Sequence, residues 1–291
     1  MVDGPFIDGR AIARALSEET ATRAARLRGA GTPPTLAVVV PTSDESASWY
    51  VRSIQRAAAR YGVECQVHEL PSAGQPEITA SLAGLSADPA VHGVICQTPL
   101  PAGADPATVG ASIAVAKDVD GASPTSLGLL AAGVPGAFAP ATAAAVLAIL
   151  RHEDVPLTGR RAVVVGRSIV VGKPVALLLL AGHATVTICH SRTRDLAAVC
   201  REAEVLVAAA GQPALIGAGH VRPGATVIDV GTNPTPDGLT GDVDTGAVAG
   251  IAAALTPVPG GVGPVTTAML LRHTVQAAQA ATGPTAGRMP G

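Results

Sequence analysis

The sequence predicts an α/β fold in two domains. Short apolar runs alternate with helical stretches along the chain, the signature of strand–helix–strand units. The 48% hydrophobic fraction contains only 2% aromatics, so the core is built from Ala, Val, Leu and Ile. The 291 residues, at ~150 per domain, argue for about two cores, each large enough to be buried by itself.

Three apolar runs in the first half read as buried parallel strands: Thr35–Val40, Val63–His68 and Val91–Cys96. A helical segment, Ala141–Leu150, then gives way to the polar stretch Arg151–Gly159. Four more strands follow at Arg161–Val165, Ala184–Cys189, Val205–Ala208 and Thr226–Val230. A last apolar helix, about Val265–Ala280, comes after a loop dense in proline and glycine and is expected to return to the first domain. The expected division is therefore 1–145 joined by 265–282, against 146–264, with two ties leaving a cleft between the domains. The ending PTAGRMPG reads as a frayed tail, and no repeat of fixed period is present.

Lys and Arg number 20 against 22 Asp and Glu, a formal charge of −2, so no basic footprint points to a nucleic acid. The apolar content excludes disorder across most of the chain. Cys65, Cys96, Cys189 and Cys200 form no Cys-x-x-Cys pair, which signals neither a metal site nor a disulfide framework and suits a reducing compartment. The opening MVDGPFIDGR lacks a basic start and apolar core, and no unbroken apolar run is long enough for a bilayer. A soluble cytoplasmic protein with no membrane partner is expected.

In the second half, Ala162–Pro174 runs from a strand into a glycine turn at Gly166 and reaches a second glycine, Gly172, at the start of a helix. Such a turn lets backbone approach a phosphate where unpaired N–H groups and the helix dipole favour anions. The spacing is not Gly-x-Gly-x-x-Gly, and close helix packing asks for the same glycines. The end of the next strand is more specific. An NAD site commonly places an acid there for the ribose 2′-hydroxyl, whereas a 2′-phosphate asks for cations or hydroxyls. The chain reads His190-Ser191-Arg192-Thr193, with Arg167 and Ser168 in the preceding turn. Arg167, Ser191 and Arg192 thus favour NADP over NAD, although arginines at loop tips are often only solvated.

Gly166-Arg-Ser-x-x-Val-Gly-x-Pro174, Val227-Ile-Asp-Val-Gly231 with Asn233, Gly241-Asp-Val243 and Thr256-Pro-Val-Pro-Gly-Gly-Val-Gly-Pro264 together closely resemble the bifunctional methylenetetrahydrofolate dehydrogenase/methenyltetrahydrofolate cyclohydrolase family. The resemblance runs from Ile7-Asp-Gly9 to the final helix. It implies two α/β domains flanking a cleft, the second a Rossmann-like dinucleotide-binding domain, a homodimer, and a tetrahydrofolate derivative as substrate in the cleft. It also implies cofactor contacts at Thr142, Gly166, Arg167, Ser168, Gly172, His190, Ser191, Arg192, Thr193, Gly231 and Asn233.

Two first-half segments resemble the family's folate motifs: Gln97-Thr-Pro99-Leu100-Pro101 and Lys117-Asp-Val-Asp120-Gly121. Gln97 also suits an ordinary strand end and Asp120 a turn. As folate residues, Asp120 would accept hydrogen bonds from the pterin's amino-pyrimidinone edge. Gln97 would stand nearer the reacting carbon, Pro99 and Leu100 would line the pocket, and Pro259-Gly260-Gly261 would let backbone close over the ligand.

The main departure from the family lies in Ser48-Trp-Tyr50-Val-Arg-Ser-Ile54. The family motif is a tyrosine followed four residues later by a lysine, one helical face apart, and that lysine is assigned to proton handling in cyclohydrolysis. Tyr50 matches, but Ile54 can neither take nor give a proton. Arg52 and Arg56 sit roughly 200° round a helix from that position, and arginine is too basic to serve. The chain holds two lysines, Lys117 and Lys173. Further departures are Ala141 and Ala143, where the family reads Pro-Cys-Thr-Pro, and the run Thr42–Ser48. Three readings follow: an NADP-dependent dehydrogenase with weak or absent cyclohydrolase activity, a repurposed enzyme transferring a methylene unit to an amine, or a non-catalytic folate-binding paralogue.

Overall fold

A computed structural model of the chain describes residues 6–236 and 238–283; the tail read from Pro284 lies outside them. The chain divides into two compact units, with breaks at Arg14/Ala15, Ala139/Pro140 and Thr266/Thr267. The sequence division placed the chain start with the first half, whereas residues 6–14 group with the second. The reason is local pairing: Phe6 bridges Leu255 in parallel, and the Ile7 N–H donates to the Leu255 carbonyl at 2.9 Å.

Helix α1 (Gly9–Gly29) starts at Asp8, whose Oδ1 accepts the N–H groups of Arg10 and Ala11. The first-half unit then holds β1 (Thr35–Val40), α2 (Glu45–Tyr61), β2 (Glu64–Glu69), α3 (Gln75–Ala87), β3 (Gly93–Cys96), α4 (Pro106–Ala111) and α5 (Pro124–Ala131). Its strands form a parallel sheet in the order β2-β1-β3, with Val39 of β1 opposite His68 and Cys96. Every residue of β1 is buried, as a central strand requires, while β2 alternates between exposed and half-buried. Helix α2 is capped by Asp44, which accepts the Ala47 N–H at 2.9 Å, and stopped by Gly62 at φ +76°. Its buried stripe of Ala47, Val51, Ile54 and Ala58 follows helical spacing.

The second-half unit contains α6 (Ala141–His152), β4 (Arg161–Val165), α7 (Gly172–Ala181), β5 (Thr185–Cys189), α8 (Leu196–Cys200), β6 (Val205–Ala208), β7 (Thr226–Asp229), β8 (Asn233–Thr235), β9 (Gly238–Thr240), α9 (Thr245–Val248) and β10 (Ala254–Leu255). Helix α10 (Val262–Thr282) follows, and the division at Thr266/Thr267 falls within it. The five-stranded parallel sheet has the order β10-β7-β6-β4-β5, and β8 and β9 form a separate antiparallel hairpin. Because β4 lies between β5 and β6, its carboxyl end is the switch point where open α/β sheets bind ligands.

Two of the seven expected strands are not buried in the way the apolar pattern suggested. Both β2 and β5 are sheet edges, and Thr185, Thr187 and Ile188 of β5 are exposed. Their Val and Ile content satisfies β propensity without demanding two covered faces. The short hairpin β8–β9 had no apolar run to reveal it, and the two-residue β10 ends the alanine-rich run 251–255, whose composition carries little strand preference.

Candidate functional site

At the end of β4 the chain turns at Gly166 with φ +137°, a region closed to L side chains. A Cβ there would lie 2.0 Å from the Ala209 carbonyl oxygen after β6, and one at Gly172 would lie 2.3 Å from the Gly166 oxygen. The turn is therefore packed backbone on backbone. The Ser168 hydroxyl accepts the N–H groups of Val171 and Gly172 at 3.1 and 3.3 Å, so it shapes the entry to α7. Arg167 and Ser168 are exposed.

The Gly166 N–H donates to the Cys189 carbonyl at 2.9 Å, which brings the end of β5 beside this turn. There, Thr193 Oγ1 accepts the His190 N–H at 2.9 Å and His190 Nδ1 accepts the Arg192 N–H at 3.1 Å. These two side chains hold the turn and leave Ser191 and Arg192 exposed at its tip. The fold thus brings Gly166, Arg167, Ser168, Gly172 and His190–Thr193 to one sheet edge, some shaping the turns and others presenting exposed charge. Thr142, second in α6, is half-buried.

Gly231 and Asn233 belong to a buried knot built on two acids, Asp229 and Asp242, that the motif pattern alone did not mark as structural. Asp229 Oδ1 accepts the N–H groups of Gly231 and Asp242, and its Oδ2 that of Val243, each at 2.9 Å. Asp242 accepts from Ala210, Gly211 and Gln212, at 2.6 to 2.9 Å, and from the Asn233 amide at 2.9 Å. A Cβ on Gly231 would meet Asp242 Oδ1 at 2.2 Å, and one on Gly241 would meet Asp229 Oδ2 at 1.8 Å. Burial pushes the Asp229 carboxyl up to about 6, against the pull of its three backbone donors, and the nearby Asp242 adds to the rise. The Asn233 side chain is therefore engaged in holding the loop. A lone acid ending an apolar strand, as in Val-Ile-Asp229-Val-Gly, was the available signal.

The proline-glycine motif lies in the same unit. Pro259 follows a cis peptide, Gly260 has φ +113°, and the Gly261 N–H donates to the Pro257 carbonyl at 2.8 Å. A Cβ on Gly9 would stand 1.9 Å from the Gly261 oxygen, so Gly9 in the Ile7-Asp-Gly motif is required by this contact.

In the first-half unit, Tyr50 of α2 is half-buried and faces the Asp120 carboxylate. Burial raises the Tyr50 phenol well above its ordinary value, Asp120 raises it further, and a hydrogen bond with Thr267 of α10 works against both. Ile54, one turn along α2, is fully buried. Gln97 directly follows β3 and is buried, with its N–H on the Val39 carbonyl at 2.8 Å. Pro99 follows a cis peptide and is exposed, while Leu100 packs on the cluster around Val39 and Val94.

The turn carrying Asp120 is anchored by Asp118. That buried carboxylate accepts the Ala122 and Ser123 N–H groups at 2.9 Å and the Ser126 hydroxyl at 2.5 Å, so it fixes the start of α5. Val119 offers its carbonyl to His273 of α10 at 2.8 Å. Thr267 and His273 were missed, and the signal was polar side chains interrupting an apolar helix. Among the described residues no group of His, Cys, Asp or Glu could hold a metal ion.

Residues 7–120 match the family profile "Tetrahydrofolate dehydrogenase/cyclohydrolase, catalytic domain", and residues 140–282 match the profile of its NAD(P)-binding domain. The chain is 63% identical over 274 residues to the bifunctional protein FolD of Parafrankia sp. (strain EAN1pec), covering 94% of this chain and 98% of that protein. Among solved structures it is similar to the bifunctional FolD methylenetetrahydrofolate dehydrogenase/cyclohydrolase from Campylobacter jejuni, with TM-score 0.91 and 37% identity over 94% of this chain and 98% of that one. It is also similar to the Trypanosoma brucei FolD complexed with NADP cofactor and inhibitor, with TM-score 0.92 and 37% identity over 97% and 100% of the two chains.

Proposed function

Since the chain belongs to the tetrahydrofolate dehydrogenase/cyclohydrolase family, we propose that it oxidises 5,10-methylenetetrahydrofolate to 5,10-methenyltetrahydrofolate with NADP⁺, and that its cyclohydrolase activity is weak or absent. The glycine cradle at Gly166 and Gly172, with Arg167, Ser191 and Arg192 exposed around it, suits a nucleotide bearing a 2′-phosphate. Bound NADP⁺ supplies the hydride acceptor. The folate nitrogens stabilise the amidinium-like product, so the protein's work in this step is alignment.

In the first-half unit, Asp120 accepts hydrogen bonds from the pterin edge, and Tyr50 and Gln97 face the reacting carbon. Hydrolysis of the methenyl product asks for more, because water must lose a proton as it attacks. The single observation behind a weak second activity is Ile54, fully buried one turn from Tyr50 where the family carries its lysine. Losing a positioned acid or base costs ~10²–10⁴-fold in rate.

A cytoplasmic homodimer belongs to the same proposal. The support for pairing of two copies is that the edge strand β5 leaves Ile188 exposed without a proline or charge to blunt it. The deciding experiment mixes the purified protein anaerobically with 5,10-methylenetetrahydrofolate and NADP⁺ and follows NADPH, methenyl and formyl folates separately. NADPH with accumulating methenyl product is expected. Folate binding without NADPH would replace this reading with one-carbon transfer to an amine or a silent paralogue.

A further inference from the structure

We propose that His273 is a positioning residue that sets the direction of the Asp120 carboxylate by holding the backbone carbonyl of Val119. The inference rests on the reading of Asp120 as the pterin contact.

A carbonyl oxygen can only accept, so the 2.8 Å bond requires that Nδ1 of His273 carry the hydrogen. Burial keeps the imidazole neutral by lowering its pKa to about 4, which leaves that tautomer as a donor at any working pH. The Phe138 ring lies 5.2 Å from the imidazole, tilted by 39°, and restricts its rotation. There is little slack in the surrounding packing. A Cβ on Gly93 would meet Thr274 Oγ1 and a Val119 methyl, each at 2.9 Å, so α10 and Val119 close directly over β3.

The consequence for Asp120 comes from peptide geometry. The Val119 carbonyl and the Asp120 nitrogen share one planar unit, so fixing the carbonyl fixes how the chain enters Asp120. Upstream, Asp118 is locked by its three donors, and downstream the Gly121 N–H returns to the Asp118 carbonyl at 3.0 Å. Between these two anchors, His273 holds the carbonyl of the 119–120 peptide. Thr267, on the same helix, meets Tyr50, so α10 contacts both residues assigned to the folate pocket in this unit.

The test is the affinity of the full-length protein for 5-formyltetrahydrofolate, a folate it does not oxidise, measured by calorimetry or by quenching of the sole tryptophan, Trp49, beside Tyr50. His273→Leu should weaken folate binding at least tenfold and leave NADP⁺ binding within twofold. His273→Asn, whose amide nitrogen takes the place of Nδ1, should stay within threefold of the native protein. His273→Gln, whose nitrogen takes the place of Nε2, should behave like the leucine variant, and the Asn/Gln contrast decides the matter even if leucine does not fold. Asp120→Asn run in parallel separates the two ideas. If it leaves folate affinity unchanged, the Asp120 reading fails and the positioning role falls with it. If Asp120→Asn weakens binding while the leucine or glutamine variant binds normally, or Asn and Gln weaken it equally, the Asp120 reading stands and the role of His273 is overturned.

Discussion

Asp229 Oδ1 accepts the backbone N–H of Asp242 at 2.9 Å, so one buried carboxylate orders the residue that carries the other. Asp242 then collects the loop after β6 and the Asn233 amide, and neither acid forms an ion pair among the described residues. Neutral donors answer both carboxylates: backbone N–H groups at Asp229, and backbone N–H groups with the Asn233 side-chain amide at Asp242. Asp242→Ala would leave four donors without an acceptor, at a cost of about 3 kcal/mol or more. Thermal unfolding should fall by roughly 10 °C, and the KM for NADP⁺ should rise because the loops beyond β6 and β7 lose their common anchor. A melting temperature unchanged from the native protein would show that the knot is not what orders them.

The turn after β4 makes a sharper demand. At Gly166 the backbone angle and the 2.0 Å approach to the Ala209 oxygen both exclude a side chain, so Gly166→Ala must open the contact between β4 and β6. NADP⁺ affinity should drop at least tenfold. Gly217→Ala is the matched control, since Gly217 has φ −107° and no atom within 4 Å of a new Cβ. Equal affinities for the two variants would remove Gly166 from the nucleotide site.

Cofactor choice isolates a single side chain. The Arg192 N–H is tied to His190 Nδ1, so removing its guanidinium leaves the turn in place. A charge-assisted contact with a 2′-phosphate contributes about 1.5–3 kcal/mol, or roughly ten- to a hundredfold in binding. Arg192→Ala should lower the NADP⁺-over-NAD⁺ preference by that factor while leaving NAD⁺ binding untouched. Dissociation constants for both cofactors decide it, and an unchanged ratio eliminates Arg192.

The central strands of both parallel sheets were legible because such strands are continuous apolar runs, as in Thr35–Val40 and Val205–Ala208. What the runs do not encode is their place in the sheet, which is why the exposed edge β5 read as buried. The glycine and proline motifs were legible because close backbone approach leaves no other residue possible. Thr267 and His273 were not, since their roles come from contacts with residues more than 150 positions away, at Tyr50 and Val119. The Asp229–Asp242 knot falls between: its glycines were visible, but the carboxylate each one accommodates was not.

The neutral, buried His273 also predicts a pH effect on stability. Its folded value of about 4 lies below the ordinary 6.5, so on acidification the unfolded chain takes up the proton first. The stability this group contributes is present above pH 6.5 and is lost as pH falls through about 4. Asp229 works in the opposite sense: its folded value of about 6 exceeds 3.8, so its contribution is present below 3.8 and is lost as pH rises through about 6. Comparison with His273→Asn cancels the Asp229 effect. Between pH 7 and pH 5 the native protein should lose about 2 kcal/mol more than the asparagine variant. Parallel denaturation curves at the two pH values would contradict a neutral buried imidazole.

Restoring a lysine to α2 tests the proposed loss of cyclohydrolase activity. Ile54 has no exposed surface, so a lysine there would be desolvated and its pKa drawn down from the ordinary range. Desolvation is the condition a general base near neutral pH needs, and it also costs stability. Ile54→Lys should therefore melt earlier than the native protein yet convert methenyltetrahydrofolate to the formyl product ~10²–10⁴-fold faster. Ile54→Met, of similar reach but without a proton to exchange, should gain nothing, which separates base chemistry from a change of pocket shape. The conversion is read as loss of the methenyl chromophore over the buffer rate. A folded lysine variant with no gain would mean that the missing base is not the only barrier to hydrolysis, and attention would pass to Ala141 and Ala143, which replace the family's cysteine and second proline.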